Sequence, residues 1–289
     1  MGGLRQTQPA LRSARYWRAV IDVHTHLHPP RLFAAIRRWF AERSSWVIDQ
    51  NPTEPQAVAR VLREHGVEKF AFFSYAHKPG MAGELNDWLN ATARELGPGA
   101  IPLATVHLDD PDPAGDVRAA LRGGCAGLKV HEHVQTLPLD DPRFGPVLDA
   151  VAEHDGFVLV HVGAIPWSLE TNDGPARIAQ VLAWHPTLRI VVAHFGAPDH
   201  VRYLALMQSE PRLFLDTTMA FALDSPMRVS VARADVERGA RQIVYGTDWP
   251  NIPQPYDGEL NGLRALGLDE ATLRAITSEN ARRLAPAFA

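Results

Sequence analysis

One cysteine, Cys125, occurs in 289 residues, so no internal disulfide can form and a scaffold stapled by bridges is excluded. So little cysteine fits a reducing compartment, and a cytoplasmic setting is expected. Cys125 itself reads as a small buried apolar residue rather than a nucleophile. Long apolar runs are missing: no window approaches the roughly 18 residues a membrane-spanning helix needs, so no membrane partner is expected. Charge of neither sign dominates. The 29 Lys and Arg against 33 Asp and Glu leave a net charge of −4, which gives no reason to expect nucleic acid as a partner. Neither a GxGxxG nor a GxxxxGK(S/T) phosphate loop occurs. The opening MGGLRQTQPALRSARYW lacks an apolar signal-peptide core, and Gln6 stands where N-myristoylation requires Ser or Thr. Residues 1–17 are expected to be a loose leader ahead of one domain over 18–289. Asn90-Ala91-Thr92 fits a glycosylation acceptor, but nothing else points to secretion.

What is present is a recurring unit. Short apolar or β-branched runs appear at 19–26, 69–75, 101–108, 126–133, 157–163, 188–196, 213–218 and 242–250. Amphipathic segments lie between them, such as PQAVARVLREHG and GELNDWLNATARELG, which end at glycine, and PARIAQVLAWH, which starts with proline. Eight strands alternating with helices in a 289-residue chain predict an α/β fold, a (β/α)8 TIM barrel. A doubly wound sheet is the structural alternative, and the missing phosphate turn weighs against it. One insertion stands out after strand one. Residues 27–56 carry Phe33, Trp39, Phe40 and Trp46, which read either as a wall over the barrel mouth or as a helix packed on its rim.

The stretch VIDVHTHLHPP, residues 20–30, ends the first strand with imidazole. In a strand, residues two apart share a face, so His24 and His26 point the same way and can share one ion. Pro29-Pro30 prevents a helical continuation. Taken alone, the pair reads equally as two polar residues at a strand end. Among 13 histidines, His65, His154, His185 and His200 fall in helices and read as structural or solvated. His107, His131, His133, His161 and His194 fall at the ends of strands three to six, and Asp248 at the end of strand eight. Active sites of such barrels form at the C-terminal strand ends, and imidazole with carboxylate suits zinc or another borderline divalent ion.

The motifs DVHTH, LVHVG, VVAHFG and VYGTDWP, with the closing SENARRL, resemble the amidohydrolase superfamily. Within it, the chain is similar to the branch that includes aminocarboxymuconate-semialdehyde decarboxylase, resorcylate decarboxylases and several lactonases. The resemblance covers roughly residues 19–286. It implies one divalent metal ion held by His24, His26, His161 and Asp248, zinc first, with manganese, iron or cobalt as alternatives. It further implies that Asp248 takes a proton from water and that His194 acts beside it as an acid/base or polarising group.

Strand four leaves three readings of Lys129. It is a cation for a substrate carboxylate, or a lysine buried against Asp22 or Asp216, or a carboxylated bridge between two metals as in binuclear members of the superfamily. His131 and Gln135 are candidate pocket residues, and His107 a supporting hydrogen-bonding group. The expected activity is metal-dependent hydrolysis of a lactone, amide or related carbonyl compound. The alternative is non-oxidative decarboxylation of an aromatic or enoic acid, which needs an anion anchor such as Arg31, Lys78 or Arg228. The expected partner is a small carboxylate-bearing or cyclic ester substrate. The sequence leaves the oligomeric state open, a homodimer included.

Overall fold

The computed structural model describes residues 19–43, 46–163 and 173–289. The expected leader, residues 1–17, lies outside the described residues. Eight strands follow one another: β1 (Val20–His26), β2 (Val67–Phe73), β3 (Ala100–Pro102), β4 (Gly127–His131), β5 (Phe157–His161), β6 (Arg189–Val192), β7 (Leu213–Asp216) and β8 (Ile243–Val244). They pair in parallel and in chain order, β1 to β3 in one ladder and β4 to β8 in another. Backbone bonds close both seams. Ala104 accepts from Lys129 and donates to Gly127, each at 2.8 Å, and Val23 and His26 donate to Tyr245 and Trp249 at 2.9 Å. The closed ring with helices between its strands is the expected barrel.

Strand alternation sorts the apolar residues into two cores. Ile21, Val23, Phe73, Leu159, Val191 and Val244 fill the barrel interior, with Leu284 and Phe288 of the C-terminal segment packed into the same cluster. Leu128, Val130, Val158, Val160, Ile190 and Leu215 face outward into the layer beneath the helices. Asn280, in the SENARRL segment, donates from its side-chain amide to the carbonyls of Ala240 and Ile243, tying the C-terminal helix to the start of β8.

Every strand but β1 stops earlier than its apolar run, and three cases show why. β3 ends at Pro102, and the run continues instead as extended chain held by a side chain: Asn86 accepts from Thr105 N at 2.8 Å and donates to Thr105 O at 3.0 Å. β8 keeps only two residues. After His131, residues Glu132–Gln135 turn into one short helix rather than extending β4. The inserted segment holds a helix, Pro30–Arg43, ahead of the first barrel helix, Pro55–Glu64.

Candidate active site

The C-terminal strand ends bring His24, His26, His131, His161, His194 and Asp248 close to one another, and leave Lys129, Gln135 and His107 outside the cavity. β1 pairs out of phase with β2 between Asp22 and Thr25, and this irregularity turns His24 and His26 together toward the mouth, against the Phe73 ring. His24 Nδ1 donates to Asp216 Oδ2 at 2.6 Å, which fixes the tautomer and leaves Nε2 to face the centre. There, Asp248 Oδ1 lies 2.9 Å from His24 Nε2 and 2.8 Å from His26 Nε2. His194 Nε2 bonds His161 Nδ1 at 2.9 Å, and the His161 ring stacks on His131 at 4.1 Å.

Backbone geometry aims two of these side chains. His194 and Asp248 have φ of 56° and 66°, in the left-handed region that non-glycine residues rarely occupy. Such conformations persist where surrounding bonds enforce them, and they cluster at functional sites. At His194 the enforcing group is Asp216, whose Oδ1 accepts from the His194 backbone N–H at 2.8 Å. At Asp248 the backbone N–H donates to His24 O at 2.8 Å.

Burial and charge set the protonation states. Burial pushes the His26 and His194 imidazoles down to about 4, against the opposing pull of Asp248. Burial alone would raise the Asp248 carboxyl, but the His26 and His24 imidazoles outweigh it and hold Asp248 well below the usual carboxylate range. The result is neutral His26 and His194 imidazoles beside an ionised carboxylate, while at His24 the Asp216 and Asp248 carboxylates outweigh burial and Lys129 and raise the imidazole.

That donor set fits a divalent cation. His24 Nε2 faces Asp248 Oδ1 at 2.9 Å, a contact that a proton on the raised His24 imidazole or a divalent cation in its place satisfies. Ligand atoms of His24, His194 and Asp248 all lie within 4.8 Å of one another. His194 Nδ1 is buried without a hydrogen-bond partner. The geometry thus adds His194, expected as an acid/base group, to the imidazoles within reach of an ion.

Above the cluster opens a cavity of about 520 Å³, lined among others by His26, Tyr75, His131, His161, His194, Asp248 and Asn251. Two expected substrate contacts do not reach it. Lys129 is fully buried beneath the floor, its Nζ 3.4 Å from His24 Nε2 and 4.6 Å from the centre of the Phe73 ring. Burial lowers its ammonium to about 8. Gln135 is engaged by backbone: its Oε1 accepts from His131 N at 2.7 Å and its Nε2 donates to Val106 O at 2.5 Å. His107 likewise lies outside the lining and accepts from Asp109 N at 3.3 Å.

Sequence reasoning passed over Asp216 as a functional residue. Its signal was available, a carboxylate closing the apolar run LFLD just as Asp248 closes its own. Tyr75 and Asn251 lacked any such pattern. Cys125 is buried and donates to Asn90 Oδ1 at 3.5 Å, and burial pushes its thiol up to about 12, which suits an inert residue.

A profile described as Amidohydrolase matches residues 21–286. The chain belongs to the amidohydrolase family. Solved structures share the fold. A 5-carboxyvanillate decarboxylase from Novosphingobium aromaticivorans, complexed with manganese and a nitrobenzoic acid, is 16% identical with a TM-score of 0.65, over 93% of this chain and 96% of that one. A probable 2-pyrone-4,6-dicarboxylic acid hydrolase from Acinetobacter baumannii is 15% identical with a TM-score of 0.62, over 92% and 98%. An uncharacterized TIM-barrel protein from Bordetella bronchiseptica is 18% identical with a TM-score of 0.67, over 92% and 98%. This amidohydrolase therefore shares its architecture with proteins named for hydrolysis and for decarboxylation alike.

Proposed function

We propose that the chain is a metal-dependent hydrolase acting at the carbonyl carbon of a lactone, amide or related compound. The observation that carries this reading is the contact of Asp248 Oδ1 with both His24 Nε2 and His26 Nε2. One ion would be held by His24, His26, His161 and Asp248, with His194 within reach; zinc is proposed, and manganese, iron and cobalt suit the same donors. When bound, a divalent cation supplies Lewis acidity, polarising a carbonyl and acidifying water. Asp248, held ionised, accepts the proton of the attacking water at its carboxylate. Oxygen then bonds to the acyl carbon, the acyl–oxygen or acyl–nitrogen bond breaks, and Asp248 returns the proton to the leaving atom. Asp216 keeps His24 oriented throughout. Lys129 would act from beneath by its charge rather than by touching substrate, and Gln135 would brace the loop that carries His131. The single buried thiol supports a cytoplasmic setting.

Decarboxylation is the second reading, supported by the architecture shared with the 5-carboxyvanillate decarboxylase. The anchors suggested for it lend no support, since Arg31, Lys78 and Arg228 are exposed and none lines the cavity.

The deciding experiment loads the purified protein with each metal and offers lactones, amides and aromatic acids. Hydrolysis consumes base without gas. Carbon dioxide release from an aromatic acid, with no ring opening of any lactone, would assign the protein to decarboxylation instead. Metal analysis belongs in the same experiment, with about one ion per chain expected. Full occupancy in His26→Ala would remove the ligand assignment.

A further inference from the structure

The helix Pro30–Arg43 turns one face to the cavity, where Leu32, Ile36, Trp39 and Phe40 line it, joined by Trp46 and Met219. Positions 32, 36, 39 and 40 recur at helical spacing, so this wall is one apolar stripe. The arginines at 31, 37 and 38 lie off it. Arg31 and Arg38 are exposed. Arg37 donates to the carbonyls of Ile48, at 3.0 Å, and Asn51, and its guanidinium lies 5.1 Å from the centre of the Phe33 ring. Among the residues whose side chains are described, no lysine or arginine lines the cavity. Apart from the histidines and Asp248, the polar groups that the described residues turn to the cavity are uncharged: the Tyr75 hydroxyl and the Asn251 amide, whose Oδ1 is buried without a partner.

A carboxylate entering this wall would lose its hydration and meet no lysine or arginine among the described side chains. An alkyl or aryl group there gains by leaving water. We infer that the substrate is an uncharged lactone, ester or amide whose non-reacting end is a bulky alkyl or aryl group, with no carboxylate remote from the bond that is cleaved. This inference rests on the hydrolase reading for its reaction and on the cavity wall for its substrate class. Of the two substrate classes the sequence leads us to expect, carboxylate-bearing or cyclic ester, it keeps the second and sets aside the first. It also sets this chain apart from structural neighbours named for a carboxyvanillate and a pyrone dicarboxylic acid.

Binding is measured first on the metal-free full-length protein, so that a bound cation cannot capture an anion. The probes are 4-tert-butylbenzamide and 4-carbamoylbenzoate, matched except for the remote group. The neutral amide is expected to bind about 10-fold more tightly or better, because the carboxylate must shed water without gaining a partner. Equal binding, tighter binding of the carboxylate, or binding of neither at millimolar concentration would overturn the inference. Trp39 is 39% exposed at the rim, so Trp39→Arg adds a cation without opening the core. That variant is expected to shift the preference about 10-fold toward the carboxylate, as a new charge-assisted partner would. An unchanged ratio would overturn the placement of the wall at the ligand. Turnover of dihydrocoumarin against its 6-carboxylate by the metal-loaded protein then separates the two layers. Neutral preference in binding with no hydrolysis of any ester, lactone or amide would remove the hydrolase reading and leave the cavity inference standing. Hydrolysis that favours the carboxylate would do the reverse.

Discussion

Asp248 and Asp216 are both buried-site carboxylates that close an apolar run, and they do different work. Asp248 Oδ1 contacts two imidazoles and faces the cavity, so it can both hold an ion and move a proton. Asp216 does not line that cavity; it holds His24 by Nδ1 and His194 by its backbone N–H. The two isosteric amide variants should therefore fail differently. Asp248→Asn keeps one oxygen for the ion but cannot accept a proton, so kcat should fall by roughly 10²–10⁴ with metal partly retained. Asp216→Asn can offer an N–H where His24 needs an acceptor, so metal affinity should fall by about 10–100-fold, and added metal should restore much of the activity. Metal titrations beside kcat measurements check both. Equal metal affinity in Asp216→Asn and the parent would mean that the His24 tether does not matter to the ion.

At the scale of elements, the inserted segment is stitched to the loop that carries Asp248. Trp46 Nε1 donates to Asn251 O at 2.7 Å, and Asn51 Nδ2 donates to Pro250 O at 2.9 Å and Ile252 O at 2.7 Å. Asn51→Ala removes two bonds of about 1 kcal/mol net each, so stability should fall by about 2 kcal/mol in urea unfolding, with KM raised as the wall loosens. An unchanged urea midpoint would show that the two Asn51 bonds add nothing to what packing and the Trp46 bond already hold. The sequence displayed the strands because each is a short apolar run between glycine or proline signals, and it displayed His24 and His26 because strand parity places them on one face. Parity does not give depth. Lys129 and His131 share the inward face of β4, but Lys129 sits two residues, about 6.6 Å, further down, which puts it under the floor instead of in the cavity. Gln135 was misread for another reason: the run GLKVHEH continues past β4 as a helical turn, and that turn points its amide at backbone. Where β3 ends early, a helix side chain, Asn86, supplies the missing partners, and no strand pattern encodes that substitution.

For the whole molecule, the barrel concentrates buried charge, and this makes its stability depend on pH through groups outside the proposed metal cluster. Glu259 lies on the helix Gly258–Ala265 after β8 and reaches back to the loop after β7, where its Oε2 accepts from Phe221 N at 2.9 Å. Its Oε1 is buried without a partner. Burial, partly offset by backbone bonds from Phe221 and Ala222, raises its carboxyl from 4.5 to about 8. The folded chain therefore keeps a proton that the unfolded chain releases above its ordinary value of about 4.5. Between those two values the unfolded state binds fewer protons, so this group subtracts stability steadily as pH rises from about 4.5 to about 8, and the loss is complete above that. Glu259→Gln keeps the shape and the oxygen that Phe221 N needs but does not titrate. The difference in Tm between Glu259→Gln and the parent should move in favour of the variant as pH is raised from 5 to 9, with most of the change below pH 8. Parallel thermal melts of the two proteins across that range decide it. A difference that stays constant with pH would mean that Glu259 is already ionised in the folded chain, and its charge would then need a cationic or hydrogen-bonding partner on the β7 loop.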